Sequence, residues 1–311
     1  MSEREVACEE LNAGIQNFRR QGFRLDLIYP ADEPVTAVLS KGEEAVRLTT
    51  RPGGPAPSDR LPPFSPEFVL THAGASPGQG RAGMLYRDLV PSRFGGRYIA
   101  SHISIPGGGP VADWVHYHRI ALQMIYVRRG WVRVAYQDQG EPFMMEEGDL
   151  VIQPPGIRHR VLESSPGLEV VEISAPAVHA TYADHQLDLP NGNNPGGIFG
   201  GQRFLRHVAA ETPWTPANSG EAQETEVDVA TSGLAEVRTI RPRNGEAMSF
   251  GGHRGELVFG FVLDGSAMLA YRGLHELGPA DAFVIPPGQA WQLTHPSGDF
   301  RLLHVATASL D

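Results

Sequence analysis

The sequence predicts a mainly β protein made of two similar barrels or sandwiches, preceded by a small α+β extension. Three observations carry this expectation. The chain has 311 residues and is 41% hydrophobic, which suits two cores better than one. Its 36 Gly and 26 Pro mark many turns, and many turns mean many short strands. The third is an internal repeat. Arg129-Gly130 is followed five residues on by Ala135-Tyr136, and Asp264-Gly265 is followed at the same interval by Ala270-Tyr271. The run Gly148 to Gly156 (GDLVIQPPG) then aligns with Ala280 to Gly288 (ADAFVIPPG). The offset falls from 135 (265 − 130) to 132 (288 − 156), placing a short deletion in the intervening hairpin. Matching turns at matching intervals imply one architecture used twice.

Taken in order, Glu9 to Arg20 places Leu11, Ile15 and Phe18 on one face of a short helix, which Gly22 stops. Phe23 to Tyr29, Thr36 to Leu39 and Ala45 to Thr50 read as strands separated by turn residues. The phrases Gly22-Phe23-Arg24-Leu25 and Pro30-Ala31-Asp32 resemble half of a vicinal-oxygen-chelate module. No second half follows, so the extension is expected to pack on the barrel as a cap. Residues 51–66 hold six prolines among Gly and Ser and read as a linker or wrapping arm. The expected units are an extension and linker over 1–66, a first barrel over 67–175, an irregular tract over 176–225 and a second barrel over 226–311.

Charge narrows the function classes. The formal charge is −10 with scattered basic residues, so no nucleic-acid footprint is visible. The single cysteine, Cys8, excludes an intramolecular disulfide and a thiolate metal cluster. A reducing, cytoplasmic setting is expected, with no apolar run long enough to span a membrane.

The chemistry concentrates in the first block. His116 and His118 are two apart on a strand and share a face, so they can bind one ion together. The Pro154-Pro155-Gly156 bend then presents His159 from a different strand. Three neutral imidazoles converging from two strands suit Zn, Fe, Ni, Cu or Mn. Together, His116, His118, Gln123 and Gly130, then Gly148, Pro154, Gly156 and His159, resemble the two sequence motifs of the cupin superfamily. The resemblance implies two jelly-roll barrels, a divalent metal on His116, His118 and His159, and a fourth ligand where this chain has Gln123 in place of the family's usual Glu. Gln123 either ligates weakly through its neutral oxygen or hydrogen-bonds a metal-bound water. In the second block the same positions read Gly251, His253, Val258 and Trp291. One histidine holds no catalytic ion, so that barrel is expected to be a scaffold or dimer element, Trp291 filling the metal's place.

Strand alternation puts Ile125 and Val127 inward from Gln123, and Val161 and Glu163 inward from His159. His102 is a further candidate for the cavity wall, although a half-buried strand histidine is the plainer reading. Arg158, Arg160, Tyr117 and Tyr126 alternate away from the ion, and His179 and His185 read as structural or exposed. The resemblance implies a metal-dependent enzyme. An Fe(II) dioxygenase for a small phenolic or enolisable carbonyl compound leads, because no carboxylate base other than Glu163 stands near the motifs. A Lewis-acid isomerase or lyase using Mn, Ni or Zn and a non-catalytic metal-bearing binder are the alternatives. A homodimer is expected, since cupins commonly pair through outer sheet edges.

Overall fold

In the strand Leu122–Arg129, Leu122, Met124 and Tyr126 face one apolar core while Ile125 and Val127 face another. A strand apolar on both faces belongs to an inner layer. The computed structural model, which describes residues 2–52, 60–74, 78–79, 84–217 and 220–310, gives that layering. Pro55 and Pro57 of the expected linker lie outside the described residues.

The chain is mainly β and forms two units of facing sheets. In the first, a ten-stranded sheet runs through Arg24–Tyr29, Thr181–Ala183, His116–His118, His159–Ser164 and Val132–Tyr136. It faces a seven-stranded sheet centred on Leu122–Arg129, Leu168–Ala175 and Ile99–Ile105. In the second unit, a seven-stranded sheet containing Ala235–Pro242, Arg301–Thr307, Val258–Asp264 and Ala282–Ile285 faces a four-stranded one. The two seven-stranded sheets pack back to back. Leu122, Met124, Tyr126 and Ile173 of one form a single apolar core with Phe259, Phe261, Leu303 and Val305 of the other. Fully burying side chains of this size stabilises by roughly 1.5–3 kcal/mol each, so the interface is as much a core as either interior.

Polar groups fix the relative placement. Arg97, 1% exposed, donates to both carboxylate oxygens of Glu256 at 2.6 and 3.0 Å, and the Tyr98 hydroxyl donates to Glu256 at 2.8 Å. The strand Val69–Thr71, expected in the first barrel, instead pairs antiparallel with Ala282–Ile285 of the second, with Thr71 opposite Ala282. The repeat shows in the turns. Gly130 and Gly265 take φ of 79° and 68°, and Gly156 and Gly288 take 78° and 75°, a region that favours glycine.

The N-terminal segment forms its expected helix, Leu11–Arg20, with Leu11, Ile15 and Phe18 buried. Its role differs from the expected cap. Arg24–Tyr29 pairs with Thr181–Ala183, Ile28 opposite Thr181, so the extension continues the barrel's own sheet edge to edge. Edge pairing satisfies a row of backbone groups that a cap would leave open. Among the described residues no helix is long and apolar enough to cross a membrane.

Candidate metal centre

Register builds the histidine cluster. His116 lies directly opposite His159 across the antiparallel pair, and His118 follows two residues along the same strand. The i, i+2 spacing and the cross-strand position therefore aim three rings at one point. Ring centroids are 4.2 Å apart for His116 and His159, and 5.4 Å for each pair that includes His118. Ligand atoms of the three lie within 4.8 Å of one another, and all three residues are buried.

The backbone sets the tautomers. The Nδ1 atoms of His116, His118 and His159 meet the carbonyls of Trp114 (2.7 Å), Ala180 (3.2 Å) and Ile157 (3.2 Å). A carbonyl only accepts, so each Nδ1 carries the proton and each Nε2 keeps its lone pair. Orientation of ligand imidazoles by such outer partners is the usual support of a metal site. Asp113 adds to it, 3.5 Å from His116 Nδ1 and accepting from the Val161 amide at 2.9 Å.

Gln123 enters from the facing sheet. Its Nε2 donates to Glu172 Oε1 at 2.8 Å, and its Oε1 is buried without a partner. An ionised carboxylate is acceptor-only, so this contact fixes the amide orientation and turns the oxygen away from Glu172. A buried acceptor without a donor is costly, and a cation or its water relieves it. Three lone-pair imidazoles and one orphaned amide oxygen fit a divalent transition metal.

Beside the triad lies a cavity of about 120 Å³. Ile125 and Val161 line it as expected; His102, Val127 and Glu163 do not. Along Ile99–Ile105 it is Ile99, Ser101, Ile103 and Ile105 that face the cavity, so His102 has the opposite parity. His102 instead meets Glu169 at 2.9 Å and Arg87 at 3.2 Å, against Phe261 of the second unit. Val127 stays in the apolar core, fully buried beyond the wall. Glu163 is turned outward by a bulge. Val134 pairs with Val161, but Arg133 pairs with Glu163, so Leu162 is the extra residue and alternation inverts after it.

Among the lining residues that sequence reasoning missed, four polar ones bear on the chemistry. Glu172 sits beside Gln123 and also accepts from the Ser174 hydroxyl at 3.0 Å. His179, read as structural or exposed, is a buried part of the wall, its ring 5.1 Å from that of His118. Burial pushes its pKa below the ordinary histidine value. Asp32 and Thr181 complete the set. The outward residues behave as expected. Arg158 pairs with Asp184 at 2.9 Å and stacks on Tyr117, and His185 bonds the Leu25 carbonyl at 2.8 Å.

Among the described residues the second unit has no such cluster. Trp291 stacks on Phe250 at 3.9 Å within an apolar interior, and His253 bonds the Ile285 carbonyl at 3.1 Å.

Comparisons with known proteins agree with this architecture. Residues 101–173 match the family described as Cupin domain. No curated protein matches the sequence. Among solved structures, an oxalate decarboxylase of Bacillus subtilis is similar with a TM-score of 0.58 at 13% identity, over 81% of this chain and 80% of that one. A formate complex of Lactobacillus farciminis oxalate decarboxylase is similar with a TM-score of 0.58 at 13% identity, over 81% and 89%. At such identity the likeness speaks for the fold. The repeated architecture, the matched domain and the histidine cluster lead to one assignment: residues 101–173, which include the histidine triad, form a cupin domain, set in a two-barrel fold like that of these structures.

Proposed function

We propose that this bicupin is a metal-dependent oxygenase, an Fe(II) dioxygenase acting on one small phenolic or enolisable carbonyl compound at a time. The observation that carries the reading is the pairing of an all-histidine triad with a mostly apolar cavity of about 120 Å³. Three imidazoles would hold such an ion with room left beside it for a small substrate. His116, His118 and His159 would hold the ion, and Gln123 would complete the set or orient a bound water. Bound there, iron supplies redox chemistry with dioxygen and polarises a substrate oxygen.

The chain's own residues supply the rest. Met84, Ile103, Val134 and Val170 exclude water and receive an apolar body. The size resembles that of engineered cavities of about 150 Å³ that take up benzene, so a single ring is the natural upper limit. Glu172, held by Gln123 and Ser174, is placed to accept a substrate proton.

That carboxylate also favours a second reading, a Lewis-acid lyase or isomerase with Mn, Ni or Zn in which Glu172 is the base. Metal analysis of protein purified without added metal, followed by oxygen uptake with iron-loaded protein, separates the two. Iron with oxygen uptake on phenolic or diketone substrates is expected. Turnover without oxygen would replace the first reading by the second.

A further inference from the structure

Four of the buried side-chain atoms left without a hydrogen-bond partner lie around this one cavity: Asp32 Oδ1, Gln123 Oε1, His179 Nε2 and Thr181 Oγ1. All four side chains belong to residues at most 9% exposed. Their chemistry is one-sided. Asp32 is acceptor-only, and its other oxygen already takes Arg93 Nη2 at 2.7 Å. His179 donates through Nδ1 to the Pro176 carbonyl at 2.9 Å, which leaves Nε2 an acceptor. Thr181 gives or accepts. Among the described residues no lysine or arginine lines the cavity, while Asp32 and Glu172 both do.

Strand register orders the polarity. Ser101, Glu172 and Ile125 lie abreast, with Gln123 one step beyond; on the other side Ile103 and Val170 lie abreast. The wall thus gathers Ser101, Glu172 and Gln123 on one stretch, among Ile99 and Ile125, and is apolar at Ile103 and Val170. Asp32 and Thr181 join the wall from outside the two histidine motifs, Asp32 from the N-terminal extension and Thr181 from the strand opposite His118.

We propose that Asp32, His179 and Thr181 form a hydroxyl-accepting subsite beside the metal, so that the chain selects a ring compound carrying a second hydroxyl group and rejects dicarboxylates. The inference deepens the proposed function and rests on its cavity. A dicarboxylate brings no donor and meets two carboxylates. A hydroxyl group satisfies an acceptor that otherwise stays buried and bare, and burying such an atom unpaired costs more than an average hydrogen bond returns.

The test is equilibrium binding to the full chain loaded with Zn(II), which occupies the triad without consuming dioxygen. Resorcinol, phenol and oxalate are the probes. Resorcinol and phenol can each offer one hydroxyl group to the metal, and only resorcinol has another. Resorcinol is expected to bind about tenfold tighter than phenol, near the effect of one well-made hydrogen bond, with oxalate weakest. Thr181→Val, which keeps the shape, and His179→Phe, which keeps a planar ring without the acceptor, should each shrink the resorcinol preference severalfold while leaving phenol within twofold. Equal binding of resorcinol and phenol by the unaltered protein, or tighter binding of oxalate, overturns the proposal even if neither variant folds. A tenfold preference in protein that shows no oxygen uptake with iron supports the subsite and counts against the oxygenase reading alone.

Discussion

Replacing Gln123 by Glu would restore the acidic residue of the cupin pattern, and the structure gives the result a direction and size. Gln123 Nε2 lies 2.8 Å from Glu172 Oε1. In the Gln123→Glu chain two carboxylates would stand at that separation, where Coulomb repulsion at an effective dielectric of about 20 is roughly 6 kcal/mol. The pair avoids it by taking up one proton. Relative to a free glutamic acid with pKa about 4.3, this costs about 1.4 kcal/mol per pH unit above that value, hence roughly 3–4 kcal/mol at pH 7 and about 1 kcal/mol at pH 5. A shared proton returns about 1 kcal/mol as a hydrogen bond. The sign follows from linkage: a carboxyl whose folded pKa is raised favours the fold at low pH, so the variant's deficit grows as pH rises. Urea unfolding of metal-free wild type and variant at pH 5 and pH 7 should therefore differ by roughly 2–3 kcal/mol more at the higher pH, following the same 1.4 kcal/mol per unit. A saturating divalent metal should shrink the gap. An equal deficit at both pH values would refute the amide–carboxylate contact, and with it the assigned orientation of the Gln123 oxygen.

Three further outcomes follow from other contacts. His159→Ala removes one of three convergent imidazoles and should lower metal affinity by at least tenfold, the scale known even for outer-shell partners, read as metal content after dialysis and as loss of the metal-induced rise in Tm. Trp291→Ala should cost about 3–5 kcal/mol by emptying the stacked interior of the second barrel, with metal content unchanged in the folded fraction. Glu169 has its pKa lowered to about 2, first by the His102 hydrogen bond, with Arg128 also close. Its contribution to stability is thus present above about pH 4.3 and lost as pH falls towards 2, so Glu169→Gln should flatten that part of the acid-unfolding curve.

The triad was legible because its two determinants are local. An i, i+2 pair shares a strand face at any register, and the Pro-Pro-Gly bend marks where the third histidine emerges. Parity arguments survived only while alternation held. The extra residue at Leu162 carried Glu163 to the far side, and His102 required knowing which parity of its strand faces inward. Glu172 left a signal in the repeat: its partner at the 132-residue offset is His304 (304 − 172), which is buried and pushed down to about pKa 3 mainly by burial. Asp32, His179 and Thr181 left none, because they come from segments far apart in sequence that meet only through sheet pairing. The same pairing turned the expected cap into a sheet extension.

The exchange of Val69–Thr71 into the far barrel makes the two halves depend on each other. Severing the chain between the barrels would strip the second of a rim strand and leave that short segment dangling from the first. Neither piece is a finished body, and the back-to-back apolar faces would both meet water. The second barrel's interior is filled with apolar side chains, and removing that barrel would strip the first of its packing face. The half with one remaining motif histidine acts as the wall against which the other is built.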